Sequence, residues 1–322
     1  MALSRRSVAR GHPTRGAGRS LGDTFFRLGS GATGVAVLVL LGAVTAILVV
    51  DSQASLRTFG LGFLGGATWD PNAGAFGALP FVYGTLVTAA LALLLGVPVS
   101  LGIAIFVSEL APSWLRTPLT YLVELLAAVP SVVYGLWGIF VLIPLMAHTV
   151  EPALQSLFGW SAAFQGPIYG YGMLTAGVIL AIMIIPTVSA VSREALLAVP
   201  QSQREAALGV GATRWETTRI AVLPYARSGI FGAIILGLGR AVGETMAVTM
   251  VIGNRNAISA SLFAPGQTLA SWIANNVREA SGLELSAIVE LGLVLLLVTL
   301  LINVFARLMV WRVLGKRGAV AA

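Results

Sequence analysis

The sequence of 322 residues contains no cysteine, which excludes disulfide bonds, thiolate metal sites and cysteine nucleophiles. Its two histidines, His12 and His148, offer little basis for a zinc site or for a hydrolase built on serine and histidine. A G-x-x-x-x-G-K-[ST] nucleotide-binding run is also absent, so any ATP hydrolysis that drives this protein must take place on a partner. We therefore predict a protein that is not an enzyme, with no catalytic residues, metal ligands or cofactor.

Charged residues are scarce, at 10% of the chain, whereas 57% of the residues are hydrophobic. This composition excludes a water-soluble globule and indicates a protein that crosses a membrane several times, with lipid as a partner. The net charge of +7 does not indicate nucleic-acid binding, because the basic residues are dispersed at the ends of apolar runs. We predict an all-α polytopic membrane protein with six transmembrane helices, near residues 33–50, 82–107, 119–147, 172–192, 229–252 and 285–311.

Arginine is concentrated in alternate connections between these apolar runs. Six arginines lie in residues 1–30 and five in residues 193–228, whereas the connections of the opposite side hold only Arg57, Arg255 and Arg278. Since cytoplasmic loops are enriched in lysine and arginine, this asymmetry predicts that both termini and the 193–228 loop are cytoplasmic. A twin-arginine export signal is disfavoured, because the apolar run begins late and lacks a small-residue cleavage site.

These signals divide the chain into four parts. We predict a disordered basic cytoplasmic tail at 1–30, a first helix with an outer-face segment at 31–81, a five-helix core with the cytoplasmic loop 193–228 at 82–311, and a cytoplasmic tail at 312–322. Residues 51–80 are rich in glycine and aromatic residues, which favours a compact segment packed on the helices. Residues 253–284 are expected to contain a short helix along the outer surface.

Proline and glycine interrupt the third apolar run at Pro130, Gly135 and Gly138. Pro130 removes a backbone donor, and the two glycines allow a neighbouring helix to approach closely. A helix broken inside a membrane must be shielded by protein or line an aqueous path. These residues are therefore a candidate helix break that borders a transport path. A packing kink with no role in transport is the alternative.

Arg240 and Glu244 lie within the fifth apolar run. Counted from Gly229, Arg240 is about 16 Å along a helix and near mid-membrane, with Glu244 at i+4 on the same face. The two charges could simply neutralise each other. A guanidinium fork, however, matches phosphate or carboxylate geometry, so Arg240 and Glu244 are candidate residues of a substrate path. Glu124 and Glu290, nearer the ends of predicted spans, are interpreted as structural.

A polar segment, 205–224, interrupts the hydrophobic second half of the chain. Gly209 and Gly211 permit a bend between two short helices, and charges of both signs keep the segment out of lipid. An ordinary cytoplasmic loop is one interpretation; a docking loop is the other. The apolar residues expected to support docking are Trp215, Ile220 and Val222.

The order of residues in this segment is specific: Glu205-Ala206-Ala207, three residues, Gly211, nine residues, Ala221-Val222 and then Leu223-Pro224. It resembles the EAA loop of importer-type ABC permeases, with Ala221 standing where that pattern has isoleucine. The resemblance implies that a cytoplasmic ATPase docks on Glu205, Ala206, Ala207, Gly211, Leu223 and Pro224.

Further stretches resemble the phosphate-specific permeases of that family: GLGRAVGETMAV at 237–248, PSVVYGLWG at 130–138, FVYGTLVT at 81–88 and SELAP at 108–112. GETMAV together with PSVVYGLWG favours the PstC-type subunit over its PstA-type partner. The resemblance implies a type I ABC importer permease fold in the bacterial plasma membrane. It also implies three kinds of partner: a homologous PstA-type permease, two ATPase subunits and an extracytoplasmic phosphate-binding protein. A permease for sulfate or molybdate is the alternative within this class.

Overall fold

The computed structural model describes residues 21–315, with side chains described for residues 25–308. Regular structure in that range is helical apart from one antiparallel bridge between Asp70 and Ala75. The described part of the chain divides into two units, with the boundary between Ile47 and Leu48. Six segments are long and apolar enough to cross a membrane, which confirms the predicted fold class: Phe25–Asp51, Leu79–Leu110, Ser131–Phe158, Met173–Leu197, Arg214–Gly243 and Gly282–Leu308.

The first helix, α1 (Leu21–Asp51), is longer than predicted. Residues 21–30 belong to it, so the predicted disordered tail is wrong for that part. Phe25, Phe26 and Leu28 extend the apolar run N-terminally, and the glycines that follow do not stop the helix. Residues 1–20 of the predicted basic tail and 316–322 of the predicted C-terminal tail lie outside the described residues.

The segment after α1 packs as a compact aromatic unit. It contains α2 (Gln53–Phe59) and α3 (Gly62–Gly65) and leads into α4 (Leu79–Ile105). Phe63 and Phe81 are fully buried, and the Trp69 ring lies edge-on to Phe81 with ring centroids 5.3 Å apart. Apolar burial of this kind explains why so glycine-rich a segment is ordered.

The third predicted span is displaced in the structure. Residues 113–128 form a separate helix, α5 (Ser113–Ala128), which has no buried residue and carries the exposed Glu124. The chain is extended at Val129 and Pro130, and a new helical span begins at Ser131. Residues 119–128 therefore do not belong to the span, because Pro130 separates two apolar helices that hydropathy alone joins. The span consists of α6 (Ser131–Trp137), α7 (Ile143–Leu145) and α8 (Glu151–Phe158), joined by π-helical turns.

The second half of the chain supplies the central helix and the polar loop. Its helices are α9 (Met173–Leu197), α10 (Gln201–Gly209), α11 (Arg214–Thr217), α12 (Leu223–Gly243), α13 (Met246–Val251), α14 (Leu269–Asn276) and α15 (Gly282–Gly315). The short helix predicted within 253–284 is α14, whose first residues are buried.

Helix α9 lies at the centre of the second unit, between α4 and α12. Gly96 of α4 and Gly237 of α12 both face it: an added Cβ would lie 2.9 Å from Ile184 at Gly96 and 2.5 Å from Val188 at Gly237. Small residues at these crossings let the backbones approach, which is how helices pack in lipid.

Candidate functional site

Helix α10 opens the polar loop and contains the three EAA residues, which differ in exposure. Pro200 precedes it in an extended conformation, which suits a helix start. Glu205 and Ala206 are exposed, whereas Ala207 is buried. Of the three predicted EAA residues, two are therefore open to a partner and one packs inside the protein.

The bend between α10 and α11 is at Gly211, whose φ of +90° is disfavoured for residues with a side chain. Thr213 then caps α11: its hydroxyl accepts from the Glu216 amide at 3.3 Å, and the Glu216 carboxylate accepts from the Thr213 amide at 2.7 Å. This capping box has a sequence signature, T-x-x-E, that the sequence reasoning missed. The bend is thus fixed by glycine on one side and by a reciprocal cap on the other.

The second half of the loop belongs to a long helix, contrary to the prediction that the fifth span starts near residue 229. A π-helical turn, Thr218–Val222, joins α11 to α12 without a break, so Leu223 and Pro224 lie within one helical span. Polar side chains at 214–219 are compatible with a helix in water and do not end it. The π-helical turn widens the helix immediately before Pro224, whose ring lacks an N–H donor.

The apolar residues of the loop differ in accessibility. Trp215 is 52% exposed and Ile220 is 59% exposed, so both are available for docking. Val222 is fully buried in a cluster with Leu196 and Ala226, so its predicted role in docking is wrong. Its apolar side chain stabilises the join between the loop and the helical core instead.

An ion pair that sequence reasoning missed ties α10 to the ends of two spans. Arg204 donates to both carboxylate oxygens of Glu109, with distances of 2.9 and 3.3 Å. It also donates to the carbonyl oxygens of Leu196, at 2.8 Å, and Val199. Glu109 follows α4, Leu196 lies in the last turn of α9 and Val199 follows that helix, so one guanidinium joins three elements. No local pattern signals this contact, because 95 residues separate the pair.

Arg240 lies in the last turn of α12, beside an open cavity of about 590 Å³. Its Nη1 is 3.5 Å from the Thr187 hydroxyl of α9, and its buried Nε has no hydrogen-bond partner in the described part of the chain. Carbonyl groups at the C-terminal end of a helix favour a cation there. The guanidinium is therefore held loosely by protein and retains donors for another group. The cavity is also lined by Gly232, Ile235, Gly239 and Asn303.

Glu244 is not paired with Arg240, and the predicted i+4 arrangement is wrong. Helix α12 ends at Gly243, and Glu244 is extended, with ψ of 131°. Its carboxylate accepts instead from the Ala247 amide at 3.4 Å, in the first turn of α13. The break separates the two charges, and each lies at a helix end of opposite partial charge, which is the favourable placement for both.

The chain is extended at Pro130, before the third span begins, so the predicted break does not lie inside that span, whereas Gly135 and Gly138 do. Gly135 of α6 lies against α13: an added Cβ would be 3.3 Å from the Ala247 Cα and in closer contact with Met250. Gly138 lies close to Val251 at the end of α13 and to Ile179 of α9. Both glycines thus serve close packing, and the interrupted third and fifth spans meet through them.

Two further acids are buried away from Arg240. Glu151, which the sequence reasoning did not single out, is fully buried and accepts from the Gly170 amide at 3.1 Å. Glu290 is 4% exposed in α15, where one carboxylate oxygen has no partner in the described residues. Neither belongs to a metal-binding group, since residues described by the structure contain no cluster of three His, Cys, Asp or Glu.

Comparison with known proteins places these features in a family. Residues 96–315 match the family model described as "binding-protein-dependent transport system inner membrane component". The chain is 48% identical over 305 residues to the phosphate transport system permease protein PstC of Mesorhizobium japonicum, covering 93% of each chain. It is 46% identical over 300 residues to the protein of the same name from Pasteurella multocida, covering 92% of this chain and 94% of that one.

Solved structures share the fold at low sequence identity. A bacterial ABC transporter for import of the acidic polysaccharide alginate matches 89% of this chain and 99% of its own, with a TM-score of 0.55 and 16% identity. The alginate transporter in complex with its pentasaccharide-bound periplasmic protein matches 90% of this chain and 97% of its own, with a TM-score of 0.56 and 16% identity. At that identity the likeness establishes the helical architecture alone.

Proposed function

The chain belongs to the family of binding-protein-dependent transport system inner membrane components, and we propose that it is a permease subunit of an ATP-driven importer of inorganic phosphate. The observation that carries the substrate is the identity of 48% and 46%, over more than nine tenths of the chain, to permeases named for phosphate transport. The protein is a conduit and a coupler, and ATP is hydrolysed by a partner.

We propose a complex of this permease with a homologous PstA-type permease, two ATPase subunits and an extracytoplasmic phosphate-binding protein. The ATPase would dock on the exposed part of the polar loop, since Glu205, Ala206 and Trp215 are open to a partner. With this loop in the cytoplasm, both termini are cytoplasmic as well, and the protein spans the bacterial plasma membrane six times.

The phosphate path would include Arg240. Phosphate carries one or two negative charges near neutral pH, and a dry passage rejects it unless a cation compensates. Arg240 borders an open cavity, and its Nη1 makes only a 3.5 Å contact with the Thr187 hydroxyl, so its terminal donors are available to an oxyanion. One arginine binds weakly enough for release, as a conduit requires. Glu244 would act separately, by holding the start of α13 beside the path.

The substrate is tested with the complete complex in proteoliposomes. We expect phosphate, presented by its binding protein, to stimulate ATP hydrolysis and to be transported, while sulfate and molybdate do neither. Stimulation by sulfate or molybdate with no response to phosphate would reject the proposed substrate and favour the other oxyanion permeases.

The role of Arg240 is tested by phosphate uptake at matched amounts of complex in the membrane. Arg240→Gln should lower uptake by about tenfold or more, because a charge-assisted hydrogen bond contributes about 1.5 to 3 kcal/mol. Arg240→Lys should restore only part, since lysine lacks the planar fork. Arg227→Gln, on the same helix but outside the cavity, is the control.

The double variant Arg240→Gln with Glu244→Gln distinguishes a path residue from a structural charge. Because the two side chains are not paired, it should transport no better than Arg240→Gln alone. Uptake near the wild-type rate by this double variant would reject Arg240 as part of the path.

A further inference from the structure

A second basic cavity lies beneath the polar loop, on the side that carries α10. Its volume is about 420 Å³, and it is bordered by the turn after α4, the start of α5, the end of α9, and helices α10 and α11. Three arginines border it, Arg116, Arg204 and Arg214, against a single carboxylate, Glu109. Glu109 is already bound by Arg204, so the charge of the other two arginines is not balanced within the cavity.

The donors of this cavity are incompletely used. Arg116 donates its Nε to the Ala111 carbonyl at 2.9 Å, which leaves its two terminal nitrogens. Within residues 25–308, neither Arg116 nor Arg214 forms an ion pair. Independently, Thr217 also lines the cavity and is only 5% exposed, and its buried hydroxyl has no hydrogen-bond partner among the described residues. A buried hydroxyl without a partner costs about 1 to 3 kcal/mol, so it indicates a missing ligand.

The cavity borders one face of α10, and Ala206 of the predicted docking surface lies on the opposite face. Gln201, Arg204 and Leu208 border it, at the spacing of one helix face. Glu205 and Ala206 are exposed and do not border it. A ligand in the cavity would therefore bridge the loop to the turn after α4 and the end of α9 without covering Ala206, while Glu205, four residues after Gln201, lies beside the cavity face.

From these observations we propose that the cavity binds a phosphate group, held by the guanidinium groups of Arg116 and Arg214 and by the Thr217 hydroxyl. Planar guanidinium donors match tetrahedral oxyanions, and a neutral hydroxyl adds a donor without a charge. The phosphate group has two sources on this side of a membrane, free inorganic phosphate and the headgroup of an anionic lipid. Binding links α10 to the spans, so it adjusts the element through which the ATPase would act.

The absence of cysteine makes a local test direct. Gln201→Cys borders the cavity, whereas Ser202→Cys is exposed on α10 and does not border it. The assembled complex, in nanodiscs of neutral lipid, is labelled with the anionic thiol reagent MTSES and with the cationic reagent MTSET. The ratio of the MTSES rate to the MTSET rate should be higher for Gln201→Cys than for Ser202→Cys. Modification of this chain is read by mass spectrometry, so cysteines of partner subunits do not interfere.

Addition of inorganic phosphate, at constant ionic strength, should slow labelling of Gln201→Cys and leave Ser202→Cys unchanged. Arg214→Gln or Thr217→Val, introduced into the Gln201→Cys chain, should raise the phosphate concentration needed for half-protection by about tenfold, the loss expected for one charge-assisted bond. Arg219→Gln, on the same loop but outside the cavity, should leave it unchanged.

The outcomes separate the two sources. Protection by inorganic phosphate in neutral lipid assigns the site to the free anion. Protection only in nanodiscs that contain phosphatidylglycerol, with no response to phosphate, assigns it to a lipid headgroup. The proposal is overturned if neither protects, if Arg219→Gln acts as Arg214→Gln does, or if the assembled partners shield Gln201→Cys from both reagents.

Discussion

Replacing Arg204 with glutamine should loosen α10 from the spans to which it is tied. The guanidinium forms two bonds to Glu109 and two to carbonyl oxygens at the end of α9. The Arg204 side chain is 16% exposed and that of Glu109 is 11% exposed, so solvent screens the pair little. The substitution leaves a largely buried carboxylate and two terminal carbonyls without their donor.

The expected magnitude follows from this geometry. Breaking a buried ion pair by removing one partner costs about 3 to 5 kcal/mol. Residual exposure and the amide donor that glutamine retains reduce this to about 2 to 3 kcal/mol, the range of one strong charge-assisted bond. Since 1.4 kcal/mol is tenfold in an equilibrium constant, local opening of α10 should increase by about 30- to 150-fold.

Hydrogen exchange of the α10 amides, read by mass spectrometry of the complex in nanodiscs, measures this opening. The matched control is Arg193→Gln: Arg193 is 2.7 Å from Glu194, but the Glu194 side chain is 66% exposed. An exposed pair contributes about 0 to 1 kcal/mol, so the control should change exchange by no more than a few fold. Equal exchange in the Arg204→Gln and Arg193→Gln complexes would refute the reasoning.

The other predictions concern packing, the bend and orientation. Gly84→Ala should sharply lower the yield of folded complex measured by size-exclusion chromatography, because the new Cβ would lie 3.0 Å from the Gln267 carbonyl carbon. Overpacking of this kind costs about 1 to 3 kcal/mol, and a yield equal to that of the wild type would contradict the prediction. Gly211→Ala should lower phosphate transported per ATP more than it lowers expression, because alanine is strained at a φ of +90°; unchanged coupling would remove the bend from the proposed mechanism. An impermeant thiol reagent should label Thr213→Cys only from the cytoplasm and Asn72→Cys only from outside, and the reverse pattern would overturn the orientation.

The number of spans could be predicted because bilayer thickness imposes a length on every apolar helix. The positions of the third and fifth spans could not. Pro130 separates α5 from the third span, yet both sides of it are apolar, so hydropathy gives no boundary there. In the fifth span the polar residues 214–219 mark the end of the apolar run, while the backbone hydrogen bonds of the helix continue through them.

Local patterns predicted local features and missed contacts between distant residues. Gly211 as a bend and Gly135 as a point of close approach follow from the absence of a side chain, which is visible in the sequence. The bond between Glu109 and Arg204 depends on how the turn after α4 packs against α10, and nothing within either segment specifies that packing. Such long-range polar contacts are set by tertiary packing of the helices.

The predicted pairing of Arg240 with Glu244 on one helix face is wrong, because α12 ends one residue before Glu244. This changes how each charge is stabilised. A continuous helix would place the two opposite charges on one face, where each would neutralise the other. Because α12 ends at Gly243, Arg240 is instead offset by the C-terminal carbonyls of α12, and Glu244 by the first amides of α13. Helix α6 packs on α13 and approaches it closely through Gly135. Arg240 therefore needs no carboxylate partner to be tolerated, which leaves its donors available to a transported anion.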